Sequence, residues 1–218
     1  MRSSASTQTR ANLPKGQRTR EGILRAAVDL ASVEGLEGLT IGRLADELKM
    51  SKSGLFAHFG SKEDLQLATV KTARQIFVDY VVHPALAESA GMPRLWSLCD
   101  RWLSHVERKV FAGGCFFTAA SFEFDSRPGA VREAIVEAMQ AWLNTLTRAV
   151  EDAKKAGHIK ADINAAQFVL EIYSMAVGAH WALQLLDQKK AISTARETIL
   201  ARISSLATRR CPPLKIAG

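Results

Sequence analysis

Cysteine is scarce in this chain. Cys99, Cys115 and Cys211 are the only three in 218 residues, an odd number without a CxxC pair. That excludes a disulfide framework and points to a reducing, cytoplasmic setting. Tyrosine is scarcer still, at two residues. No run of about 18 apolar residues is free of charge, so no membrane span is expected. The polar N-terminus carries no apolar run ahead of a small-residue cleavage site, so no signal peptide is expected either. Residues 1–20 contain no acid at all, yet they hold Arg2, Arg10, Lys15, Arg18 and Arg20.

Those five cations supply most of a formal net charge of +7. A basic arm next to a folded head is a common way to hold phosphates, and Lys15, Arg18 and Arg20 lead straight into the first helix. With 47% hydrophobic and 23% charged residues, the rest is ordinary globular composition.

Nearly every ordered stretch reads at helical period, which makes the chain all-α. Ile23, Ala27, Leu30 and Ala31 form one apolar stripe, predicting a helix from about Arg18 to Glu34 that Gly35 closes. Thr40 caps a second helix, with Leu44, Ala45 and Leu48 inward, and Lys49-Met50-Ser51 makes a tight turn into a third. Ser61 caps a fourth, with Glu63 and Asp64 at its positive end, running to about Val82 and stopping near Pro84. Further helices are expected at about 93–111, 128–156, 163–187 and 192–207, with a short apolar segment at 115–124.

The stretch Ser51 to Leu65 is the most informative. Its short helix has small and basic residues on one side and Leu55, Phe56 and Phe59 available to pack. Such a helix on a three-helix platform has the shape to enter a DNA major groove.

The first four helices resemble the DNA-binding domain of the TetR (tetracycline repressor-like) family of transcriptional regulators. The resemblance rests on the first-helix stripe with Gly35, Leu39-Thr40, Leu44-Ala45, Met50-Ser51, Leu55-Phe56, His58-Phe59 and Ser61-Lys62-Glu63-Asp64-Leu65. It implies a helix-turn-helix head whose third helix reads bases with Lys52, Ser53, Gly54 and His58. Thr40, Ser51 and Lys62 would face phosphates. Arg18, Arg20, Arg43 and Phe56 are further candidates for DNA contact. The sequence departs from the family at Lys49, where a turn glycine is usual, and at Phe56, where tyrosine is usual.

All four tryptophans lie beyond Gly91. An apolar cavity is expected there for a small apolar or aromatic ligand, lined by Trp96, Trp102, His105, Phe116, Phe117, Phe122, Trp142, Tyr173 and His180. Glu123 is a further polar group able to orient it. In the last helix pair Phe168, Ile172, Ala176, Ala179, Leu183 and Leu186 form one stripe and Ile192, Ile199, Ile203 and Leu206 another. Two such pairs make a four-helix bundle between two chains, as the family dimerises, although packing within one chain fits the same stripes.

Enzyme chemistry has little support. The sequence has no glycine-rich phosphate loop, nucleophile elbow or clustered metal-ligand spacing. The expected organisation is a basic arm (1–17), a helix-turn-helix head (18–65), a larger helical ligand-binding and dimerisation domain (66–210) and a tail (211–218). The expected function is a cytoplasmic homodimeric repressor that binds a palindromic operator and is released by a small molecule, without cofactor or metal. A thiol- or metal-responsive sensor and a ligand-free architectural DNA binder are the alternatives.

Overall fold

The computed structural model describes residues 15–214, so the arm upstream of Lys15 and the last four residues lie outside it. Local signals start the first elements. Helix α1 (Lys15–Glu34) ends where Gly35 takes φ +89°. Thr40 caps α2 (Ile41–Leu48), its Oγ1 accepting from the Arg43 amide at 3.0 Å. Ser51 caps α3 (Lys52–Phe59) through the Gly54 amide at 3.1 Å, and Ser61 caps α4 (Lys62–Phe77) through the Asp64 amide at 3.0 Å. Each cap satisfies one amide that the first turn leaves without a partner. Between α2 and α3, Lys49 sits in the left-handed region at φ 53° and ψ 39°.

Helix α4 does not stop before Pro84. It widens into a π-helical turn over Val78–Val82 and continues through His83–Ala85. The His83 amide reaches back five residues to the Val78 carbonyl. A wide turn accommodates a proline ring that would clash inside a regular α-helix.

Five more helices follow. They are α5 (Met92–Glu107), α6 (Phe116–Phe124), α7 (Ala130–Lys155), α8 (Ala165–Leu186) and α9 (Ala191–Ser205). Helix α5 ends four residues before Phe111 because Lys109, at φ 49°, turns the chain into a loop. The apolar segment after Cys115 is itself helical. Among the described residues there is no strand, only an isolated bridge between Ile159 and Ala207.

One apolar core runs from Ile23 in α1 to Ile203 in α9. Helix α9 is also fastened to α5 by charge. Arg196 meets the fully buried Asp100 at 2.7 Å, with Ser104 Oγ and Glu107 each at 3.0 Å. Removing one partner of such a pair strands a buried charge and costs roughly 3–5 kcal/mol.

Helix α8 reverses part of the sequence expectation. Phe168, Ile172, Ala176 and Ala179 are buried within their own chain, as are Ile192, Ile199 and Ile203 of α9. That part of the stripe therefore packs within its own chain, while Leu186 at its end is 48% exposed. A different face is open, carrying Leu170, Trp181 and Leu185 at 63%, 54% and 68% exposure, with Gly178 between them. By length and composition alone α8 is apolar enough to cross a membrane, although it contains Glu171.

Candidate DNA-binding face and ligand cavity

Leu55 and Phe59 anchor α3 in the core, which turns Lys52, Ser53 and Phe56 outward. Phe56 is 57% exposed, so it is a surface residue outside the buried core of the head. His58 is half-buried, its ring tilted 6.2 Å from that of Phe59. Arg20 also lies over Phe59, its guanidinium 5.2 Å from the ring centre. The side chain of Arg18 lies outside the described ones.

The caps converge with charge. A methyl group placed on Gly42 would stand 3.8 Å from both the Lys52 ammonium and the Thr40 hydroxyl. Hydroxyl, ammonium and the free amides of the α2 N-terminus thus share one spot, a composition suited to an anionic oxygen.

Two expected phosphate ligands are engaged elsewhere. Arg43 lies 2.5 Å from Glu34 and 3.0 Å from Glu47. These hydrogen bonds raise the guanidinium pKa above its already high value, and the bond from Arg43 lowers that of Glu34. Lys62 Nζ lies 2.7 Å from Glu37, whose carboxyl is held below the usual range chiefly by that bond. Both cations are thus paired with carboxylates of their own chain.

The cavity lies between α4, α5, α6, α7 and α8 and holds about 180 Å³. Of the expected residues, Trp102, Phe117, Trp142 and Tyr173 line it. Phe77 joins them from α4, its ring edge-on to Trp142 at 5.0 Å, while Trp102 stacks on Tyr173 at 5.6 Å. Arg74, Met139 and Thr145 are among the further wall residues that sequence reasoning missed, with Cys115 and Thr118 at the start of α6. Burial pushes the Tyr173 hydroxyl up to about 12. Trp142 Nε1 is buried without a hydrogen-bond partner.

The other expected lining residues are not there. Trp96 and Phe116 fill the core, each only 1% exposed. Phe122 points outward at 66% exposure, beside the open face of α8. His180 is a structural acceptor, its Nε2 receiving the Cys115 amide at 3.0 Å. His105 is packed between Phe77 and Phe111, and neither ring nitrogen has a partner. Burial, reinforced by Arg25, pushes its pKa down to about 4. Glu123 turns toward the head and not into the cavity. It accepts from the Leu36 and Glu37 amides at 2.7 and 3.0 Å.

Against known proteins, residues 23–69 match the model of bacterial regulatory proteins of the tetR family. Residues 91–199 match the tetracyclin repressor-like C-terminal domain, half of the chain on their own. The chain belongs to the TetR family. It is therefore a DNA-binding transcriptional regulator and not an enzyme. No curated protein matches it. A TetR transcriptional regulator from Chloroflexus aurantiacus superposes with a TM-score of 0.79 at 24% identity, covering 89% of this chain and 98% of that one. A TetR-family regulator from Streptomyces coelicolor gives 0.75 at 22%, covering 95% and 98%. AibR, solved in complex with isovaleryl coenzyme A and operator DNA, gives 0.67 at 19%, covering 85% and 96%. These TetR likenesses are likenesses of fold.

Proposed function

We propose that this regulator is a cytoplasmic homodimeric repressor that leaves a palindromic operator when a small apolar or aromatic molecule fills the inner cavity. The cavity carries the reading. A space of about 180 Å³ walled by Phe77, Trp102, Phe117, Trp142 and Tyr173 is unusual in a packed interior. Apolar voids of roughly 150 Å³ stay dry and admit a benzene-sized guest, so a substituted single ring is the right scale. AibR, which shares the fold, is a protein that takes both a small-molecule ligand and operator DNA.

The head is assigned to residues 18–65, preceded by the arm at 1–17. The ligand and dimer domain is assigned to 66–210, with the tail at 211–218. Within the head, Lys52, Ser53, Gly54 and His58 read bases. Arg18, Arg20, Thr40, Arg43, Ser51 and Lys62 hold phosphates, and Phe56 packs against the DNA backbone. The partner chain covers the open face of α8 around Gly178. A ligand that prefers the dimer state with mismatched head spacing lowers operator affinity by its differential binding to the two states.

A thiol-sensing alternative finds Cys115 in the cavity wall, but Cys99 is fully buried and its thiol is pushed up to about 12. That residue stays protonated and unreactive. An architectural DNA binder has no use for the cavity.

The test begins with selection of duplexes from a random pool, followed by anisotropy titration at several salt concentrations with and without single-ring aromatics. A palindromic product, a steep salt dependence and ligand-weakened binding are expected. Equal binding to scrambled DNA would remove the specific regulator, and indifference to every aromatic would remove ligand release.

A further inference from the structure

Helix α6 is nine residues long and touches both the cavity and the head. At its start, Phe117 and Thr118 line the cavity together with Cys115. At its end, the Glu123 carboxylate sits on two successive amides, those of Leu36 and Glu37, just after the left-handed Gly35. Consecutive amides after such a residue form a concave anion site, here filled from within the chain. Position 35 favours glycine through its φ of +89°, and a Cβ there would come within 2.8 Å of Glu123 Oε1 and displace the carboxylate.

The start of α6 is pinned. A Cβ on Gly113 would fall 1.9 Å from the Ser32 carbonyl oxygen, and the Gly113 amide donates to Ser32 Oγ at 2.9 Å. A Cβ on Gly114 would likewise fall 2.4 Å from Gln184 Nε2 and 2.6 Å from His180 Nε2, and the Cys115 amide is held by His180. Phe117 and Thr118 stand about one turn or less from that pivot, while Glu123 stands roughly 12 Å along the axis. Pressure from inside the cavity on the near residues therefore tilts the far end by more than it moves the near one.

The turn that Glu123 grips is bound equally to the DNA side. Gln66 of α4 donates to the Leu36 carbonyl at 2.8 Å, and Lys62 at the start of α4 meets the Glu37 carboxylate at 2.7 Å. A shift of the turn displaces the α4 N-terminus, against which the reading helix α3 is set.

We propose that the Glu123 carboxylate on the Leu36 and Glu37 amides is the contact through which occupancy of the cavity reaches the DNA-reading head. This rests on the cavity-and-head reading given under Proposed function. Glu123 is a positioning residue. It touches neither ligand nor DNA, and it holds the turn in one orientation relative to the body.

The experiment fills the cavity from within, using Ala138→Phe, or Ala141→Phe where the first does not fold. Each is made with Glu123 intact, with Glu123→Gln and with Glu123→Ala. Folding is checked by thermal melting, and DNA affinity is measured on a duplex selected from a random pool by the wild-type protein. With Glu123 intact, filling weakens DNA binding by roughly 5- to 100-fold, the usual span of coupling between sites. With Glu123→Ala the same filling changes affinity less than about twofold, and Glu123→Gln, which keeps one acceptor oxygen, lies between. Hydrogen exchange supplies a second readout, since filling the cavity accelerates the Leu36 and Glu37 amides. A purely structural Glu123 would lower the melting temperature and leave the effect of filling intact. Equal weakening with and without Glu123 overturns the latch while sparing ligand release. Faster amide exchange with unchanged DNA affinity keeps the latch and overturns ligand release. Unchanged exchange and affinity overturn both.

Discussion

The Lys62 ammonium lies 2.7 Å from a Glu37 carboxylate oxygen, so the lysine proposed to meet a phosphate is already paired. On that proposal DNA has to outcompete the carboxylate. Because both side chains are about two-fifths exposed, the ion pair itself is weak and the exchange is easy. Glu37→Gln should therefore tighten DNA binding at low salt by roughly 2- to 5-fold. Lys62→Ala should weaken binding to every sequence and flatten the salt dependence by about one unit of slope. His58→Ala should instead shift base preference in a selection experiment. A Glu37→Gln protein that binds less tightly would show that the pair orders the head and does not compete with DNA.

The turn between α2 and α3 contains its own strain. Lys49 at φ 53° adopts a conformation that glycine reaches without steric cost. Lys49→Gly should stabilise the protein by about 0.5–1 kcal/mol, raising Tm by a few degrees. Differential scanning calorimetry would detect this. An unchanged or lower Tm would mean that the Lys49 side chain makes a compensating contact.

His105 makes stability depend on pH. Its folded pKa of about 4 lies below the ordinary value of 6.5, so between those limits the unfolded chain binds more protons than the folded one. The protein should be unaffected by this residue above pH 6.5 and lose stability as pH falls toward 4, by up to roughly 3 kcal/mol. Denaturant titrations at several pH values would reveal the slope, and His105→Leu should flatten it. A His105→Leu protein with the wild-type slope would assign the acid sensitivity to other groups, His180 among them.

Gly178 offers a direct test of the dimer. A Cβ there meets nothing within 4 Å, so Gly178→Arg has room in its own chain and replaces a poor helix former. Against a second α8 crossing at the same place, the guanidinium would lack both space and a partner. Sedimentation should show a monomer with unchanged circular dichroism and lost operator binding. A variant that stays dimeric would move the interface away from this face.

What could be read from the sequence was local. Thr40 and Ser61 cap their helices as expected because a cap needs only its own residue and the next few amides. Gly35 was equally legible. The cavity was half legible, since helical period identifies apolar positions but not which of them border a void. Phe77 and Thr145 reach the wall from helices whose stripes say only that they face inward. Phe122 failed for the opposite reason, being an aromatic assigned inward that the turn of α6 sends out. Glu123 needed two contacts across 86 and 87 residues of sequence, and no local pattern announces those. The α8 stripe could serve its own chain or a partner, because α8 is apolar on more than one face.

The open flank of α8 sets a demand on supply. A folded chain that must meet its twin before two heads can grip DNA populates its active form as the square of chain concentration when copies are few. Halving synthesis would then reduce operator occupancy about fourfold in that regime. Leu170, Trp181 and Leu185 would thus make the control circuit count its own molecules.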